Sequence, residues 1–200
     1  MKPIEETNPQ EGTPFKTLED QNLRTYYRDA EKAFLDRFGQ EHQDTVSPER
    51  LAWERTHPAS LESCAEFAKA YTDAFGEKPT ESIVGFYDMA ERHAHIRAEA
   101  NDDIVETLAH EHAHGLMAPE ANDKLPHSVI EGAAEDYARR FAGFAPEAGD
   151  LAAYENEVRI VRSAEQLCGR GVVDKAVLEG KTEDLRAAVE HVLGKRQVST

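Results

Sequence analysis

The sequence is short of cysteine, of positive charge and of long apolar runs. Its two cysteines, Cys64 and Cys168, lie far apart, which excludes a disulfide framework and a C-x-x-C zinc site. Each falls on an apolar helical stripe and reads as a buried thiol. No stretch approaches the roughly 18 consecutive apolar residues that span a membrane, so no membrane partner is expected. The start, MKPIEETNPQEGTPF, is acidic and proline-bearing. It lacks the basic opening and apolar run of a secretory signal, which makes a cytoplasmic location the default expectation. Lysine and arginine number 23 against 39 aspartates and glutamates, a net charge of −16. A field of that sign repels phosphate backbones and argues against nucleic acid as a partner. It favours basic peptides or fits a salty cytosol, and selects neither.

What is present is enough chain, 200 residues, for one unit with a sizeable core. Residues 1–16 carry Pro3, Pro9, Gly12 and Pro14 and read as disordered. Thr17 with Asp20 resembles a capping box. Leu23, Tyr26, Tyr27, Ala30, Phe34 and Phe38 then recur at helical spacing until Gly39. Residues 40–58 read as a loop with one helical turn near Pro48–Trp53. Leu61, Cys64, Phe67, Ala68, Tyr71 and Phe75 predict a second amphipathic helix, closed by Gly76 and Pro79. From Ser82 the pattern becomes β-rich, and HAHIRA places His93, His95 and Arg97 on one strand face, Ala94, Ile96 and Ala98 on the other. A β-hairpin is expected, its histidine face solvated and more ordinary than metal-binding. Asn101 or Asp102 caps a helix over 103–117. PEANDK reads as a loop before a helix over 127–142. A further helix, capped by Asp150, turns Leu151, Tyr154, Val158, Val161, Ala164 and Cys168 inward. Two short helices follow, each closed by glycine.

The chemistry concentrates in VETLAHEHAHGL. On a helical wheel, with His110 at the origin, Thr107, Glu111 and His114 lie within about 100° of it. Ile104, Val105, Leu108, Ala109, His112 and Leu116 occupy the opposite arc. Histidines at i and i+4 project about one turn apart and reach one tetrahedral ion, as in H-E-x-x-H. Glu111 stands beside them as a general base rather than a ligand. His112 sits amid the apolar back and reads as a packed histidine that needs a hydrogen-bond partner. A third ligand is required, and Glu131, 17 residues after His114, is the candidate. Gly132 lets its helix approach a neighbour closely. Glu135, on the same face as Glu131, suits a hydrogen bond to a ligand imidazole. Asp136, about 140° round, is the weaker choice. An ordinary reading competes: Ser128 to Glu131 is itself an S-x-x-E capping box.

ETLAHEHAHGL followed by VIEGAAEDYA resembles the gluzincin branch of the zincin metallopeptidases. In that family H-E-x-x-H supplies two zinc ligands and the catalytic glutamate, and a downstream E-G-x-A helix supplies the third ligand. The resemblance covers roughly residues 80–194 and implies His110, His114 and Glu131 as ligands of Zn2+, with Glu111 as base in peptide-bond hydrolysis. It implies a hairpin whose later strand, near His93–Arg97, forms an edge that pairs with an extended peptide or protein substrate. His112 departs from the small or apolar residue usual there. For the group that steadies the oxyanion the chain offers Tyr87, His93, His95 and His127, while Tyr137 faces away.

The expected fold class is α+β and zincin-like: a small antiparallel sheet or hairpin packed on the motif helix, the remainder mostly helical. After the disordered segment over 1–16, residues 17–198 form a single domain. Its N-terminal helices occupy 17–79, the hairpin and zinc-site helices 80–142, and C-terminal helices 143–198. The expected function is zinc-dependent peptide-bond hydrolysis. The alternatives are a catalytically weak or inactive zincin-like metal-binding regulatory module, and an acidic helical interaction protein in which the motif is surface decoration.

Overall fold

The computed structural model describes residues 18–100, 104–142 and 154–187. The described chain is mostly helical, with one three-stranded mixed sheet, an α+β arrangement. Helix α1 (Leu18–Glu41) leads into α2 (Pro48–Thr56), then strand β1 (Ser60–Glu62) and α3 (Cys64–Phe75). The hairpin β2 (Gly85–Asp88) and β3 (His93–Arg97) follows, then α4 (Ile104–Leu116), α5 (Pro119–Lys124) and α6 (His127–Phe141). Helices α7 (Glu155–Cys168) and α8 (Arg170–Leu178) come next, and residues 183–187 are again helical. None of the described helices is long and apolar enough to cross a membrane. The predicted caps at Thr17, Asn101, Asp102 and Asp150 lie outside the described residues, as does the segment over 1–16.

Helix α4 carries the motif and touches α1, α2, α6, β2 and β3. One core, with Phe34, Phe38, Ala109, Leu116, Ile130 and Val177, fills the space among α1, α4, α6 and α8. A smaller one, with Tyr87, Ala94, Ile96, Ile104 and Leu108, joins the sheet to α4. On the sheet's other face, Phe67, Tyr71 and Phe75 of α3 surround Phe86. Ser63 caps α3 reciprocally with Glu66, and Gly76 ends it in the left-handed conformation.

Several expectations change. The sheet order is β1-β3-β2, with β1 parallel and β2 antiparallel to β3. The hairpin therefore acquires a third strand, and the sheet is mixed rather than purely antiparallel. Strand β1 contains Leu61, read as helical. Strand β3 is central, so His93–Arg97 has no free edge. Its histidine face is also covered: His95 is buried and stacks on Phe86, ring centroids 4.6 Å apart. Helix α1 passes Gly39 and runs to Glu41, while its predicted stripe is exposed at Leu23 and Tyr26. The helical turn near Pro48 is a helix of 9 residues, and PEANDK is helical rather than loop. Gly169 makes the break between α7 and α8. Cys64 is exposed at the start of α3 and Cys168 half-buried, so neither is a core thiol.

Candidate metal centre

The centre lies where the front of α4 meets the first turns of α6. His110 and Glu111 are buried and His114 is half-buried. Helix α6 starts after Pro126 with no side-chain cap, so Ser128 lies inside it and the capping-box reading of Ser128–Glu131 fails. Glu131 instead points across to α4. One of its oxygens is 3.4 Å from His110 Nε2, the other 3.6 Å from His114 Nε2, and the two Nε2 atoms are 3.1 Å apart.

Those separations test the fit to a metal. Donors at about 2.0–2.2 Å in tetrahedral array are about 3.3–3.6 Å apart from one another. The observed separations within this triangle of residues, 3.1–3.6 Å with the two histidines facing different oxygens of Glu131, are close to that size, and two imidazole nitrogens with a carboxylate are a donor set zinc accepts. Among the described residues no other trio of histidine, cysteine or acidic side chains brings its ligand atoms within 4.8 Å.

Outside the triangle, Glu135 Oε2 lies 3.0 Å from His110 Nδ1, and Arg139 donates to Glu135 Oε1 at 2.7 Å. The Nδ1 hydrogen bond turns the imidazole so that Nε2 faces Glu131. Burial works against charge on His110, yet its bonds to Glu131 and Glu135 outweigh that and push its pKa up to about 10. Burial likewise opposes ionisation of Glu131, but hydrogen bonds from His110 and His114 hold its carboxyl well below the usual range. Asp136 is absent from the centre. It is buried against Arg140 and Arg162 on the α7 side.

Glu111 lies beside the triangle under β2. A Cβ on Gly85 would sit 2.5 Å from Thr107 Cγ2 and 2.9 Å from Glu111 Oε1. The missing side chain is therefore what allows the strand to pass over the carboxylate. Burial raises the Glu111 pKa, partly offset by the charges of His110 and His114. Gly132 does not serve the α4–α6 approach. A Cβ there would collide with the Glu157 carbonyl, so the close packing it permits is between α6 and α7.

Of the groups offered for oxyanion support, most are elsewhere. Tyr87 donates to Glu54 at 2.7 Å behind α4. His93 and His95 engage Ser60 and Glu62, each at 2.8 Å, on the far face of the sheet. Tyr137 bonds Asp174 in the core. His127 remains near, exposed and 3.6 Å from Glu131. The group sequence reasoning missed is Tyr154, immediately before α7, whose ring lies 5.0 Å from that of His110. Burial, then the charges of Glu131, Glu111 and Glu135, raise its pKa, so it keeps its proton. Its place on the apolar stripe with Val158 and Val161 marks it as inward-facing and says nothing of His110.

No protein-family model, curated protein or solved structure matches the chain. The chemistry of the centre therefore rests on its own residues.

Proposed function

We propose that the chain is a zinc-dependent peptidase of the gluzincin kind, with a zincin-like fold, in which His110, His114 and Glu131 hold the ion and Glu111 is the general base. The observation that carries this reading is the His110–His114–Glu131 cluster, its ligand atoms within 4.8 Å of one another, with a buried carboxylate at its side. A bound zinc ion supplies Lewis acidity, polarising a carbonyl and acidifying water. Glu111 takes the proton of the attacking water and returns it to the leaving amine. Tyr154 donates a hydrogen bond to the developing oxyanion. Glu135 fixes the tautomer and direction of His110.

The substrate reading moves from β3 to β2. The Arg97 N–H donates to the Val84 carbonyl, so Val84, Phe86 and Asp88 direct their backbone groups toward β3. Gly85 and Tyr87 direct theirs to the outer edge. An extended peptide pairing there runs beside Glu111. The acidic surface favours basic sequences.

Metal analysis with a peptide-library assay tests the proposal. The purified protein should carry one zinc, lost in His110→Ala and in Glu131→Ala. Glu111→Gln should keep the zinc and lose hydrolysis by about 10²-fold or more. Zinc lost in His110→Ala but kept in Glu131→Ala would sink the gluzincin assignment. Stoichiometric zinc without turnover on any peptide would leave a metal-binding regulatory module.

A further inference from the structure

We infer that His112 is a positioning residue for the metal centre: held between Glu31 of α1 and Glu54 of α2, it sets the rotation of α4 and hence the direction in which His110, Glu111 and His114 project. This inference rests on the metallopeptidase reading above.

His112 is fully buried on the back of α4. Its Nδ1 lies 2.7 Å from Glu54 Oε2 and its Nε2 2.5 Å from Glu31 Oε1. A ring nitrogen facing a carboxylate oxygen donates, so both nitrogens are donors. The carboxylates are fixed in turn. Glu31 accepts from the Ala59 N–H at 2.7 Å and from Arg28 at 2.9 Å. Glu54 accepts from the Tyr87 hydroxyl at 2.7 Å. One imidazole thereby ties α4 to α1, α2, β2 and the residue before β1.

Apolar contacts tolerate sliding and turning, whereas hydrogen bonds are directional. Two short bonds on opposite sides of a ring fix its plane, and through it the turn of helix that bears it. His110 and His114 flank His112 by two residues on either side, so any rotation of that turn swings both out of register with Glu131. The back of α4 is fitted just as closely one turn on. A Cβ on Gly115 would strike the Glu54 carboxylate and come within 2.6 Å of the Tyr87 ring. An apolar residue at position 112 would fill the space without setting the angle.

The test loads wild type, His112→Gln, Glu54→Gln and Tyr87→Phe with Co2+ and records the visible d–d absorption. Zinc affinity is measured alongside by chelator competition, with far-UV circular dichroism as the check on folding. In the folded variants the d–d bands should shift and zinc affinity fall by about tenfold or more for His112→Gln and Glu54→Gln. The effect should run in the same direction and be smaller for Tyr87→Phe. Should His112→Gln not fold, the other two decide. Unchanged spectra and affinities in folded variants would overturn the positioning role and leave the metal centre standing. A wild type that takes up neither ion would overturn both.

Discussion

At the scale of single residues, the centre separates side chains that would touch an ion from those that aim them. Glu135 belongs to the second group: it bonds the Nδ1 of His110, and Arg139 holds it in place. Glu135→Gln keeps the shape and removes the charge. The expected result is zinc affinity lower by about 10–100-fold with the fold intact, read by chelator competition beside a melting curve. Equal affinity in the variant would leave Glu135 a mere ion-pair partner of Arg139. His112 shows how far residue chemistry can be read ahead. Its wheel position predicts a packed histidine in need of partners. The partners themselves, 58 and 81 positions away in the chain, follow no local pattern.

Among elements, the contact between α6 and α7 is set by one missing side chain. Gly132→Ala forces a methyl into the α7 backbone at Glu157 and should lower stability by about 1–3 kcal/mol, measured by urea unfolding. Gly171→Ala, where a Cβ meets nothing within 4 Å, is the control and should cost nothing. Elements with strong local signals are those legible in the sequence. Helix α3 has its glycine stop. Helix α4 has its segregated faces, and the hairpin its alternation. Strand β1 was illegible because three residues hold no periodicity and its partner lies beyond α3 and β2. Its absence from the sequence reading is what made β3 look like an edge. Likewise Glu131 was legible as a candidate ligand through its spacing from the motif. Tyr154 was not, because nothing local says that the start of α7 returns past His110.

For the whole molecule, acid and metal should act as separate levers on stability. His42 is buried among Phe38, Tyr137 and Phe141. Burial, then the charges of Arg170 and Arg140, lower its pKa from 6.5 to about 4. The unfolded chain therefore binds this proton more readily than the native one. Its contribution to stability is complete above pH 6.5 and is lost as pH falls from there through about 4. Urea midpoints across that window should fall less for His42→Phe than for wild type; parallel curves would remove His42 from the acid response. Zinc should act through mass action. Binding to the native state alone raises stability by about 2.7 kcal/mol at a hundredfold excess over Kd, so a chelator should lower the melting temperature of the zinc-loaded protein. Melting unaffected by chelator would argue against a tightly held ion.

The parallel pairing of β1 with β3 also bears on how the chain tolerates being cut. Cleavage between α3 and β2, followed by loss of the N-terminal piece, would strip β3 of one neighbour along Ser60–Glu62. It would also take both acceptors from His112 and uncover the back of α4. The remaining fragment would keep every residue of the metal triangle yet expose a bare strand that templates self-association. The helices that carry no motif are in this sense the molecule's guard against aggregation, and a truncated protein should precipitate before it can be tested for activity.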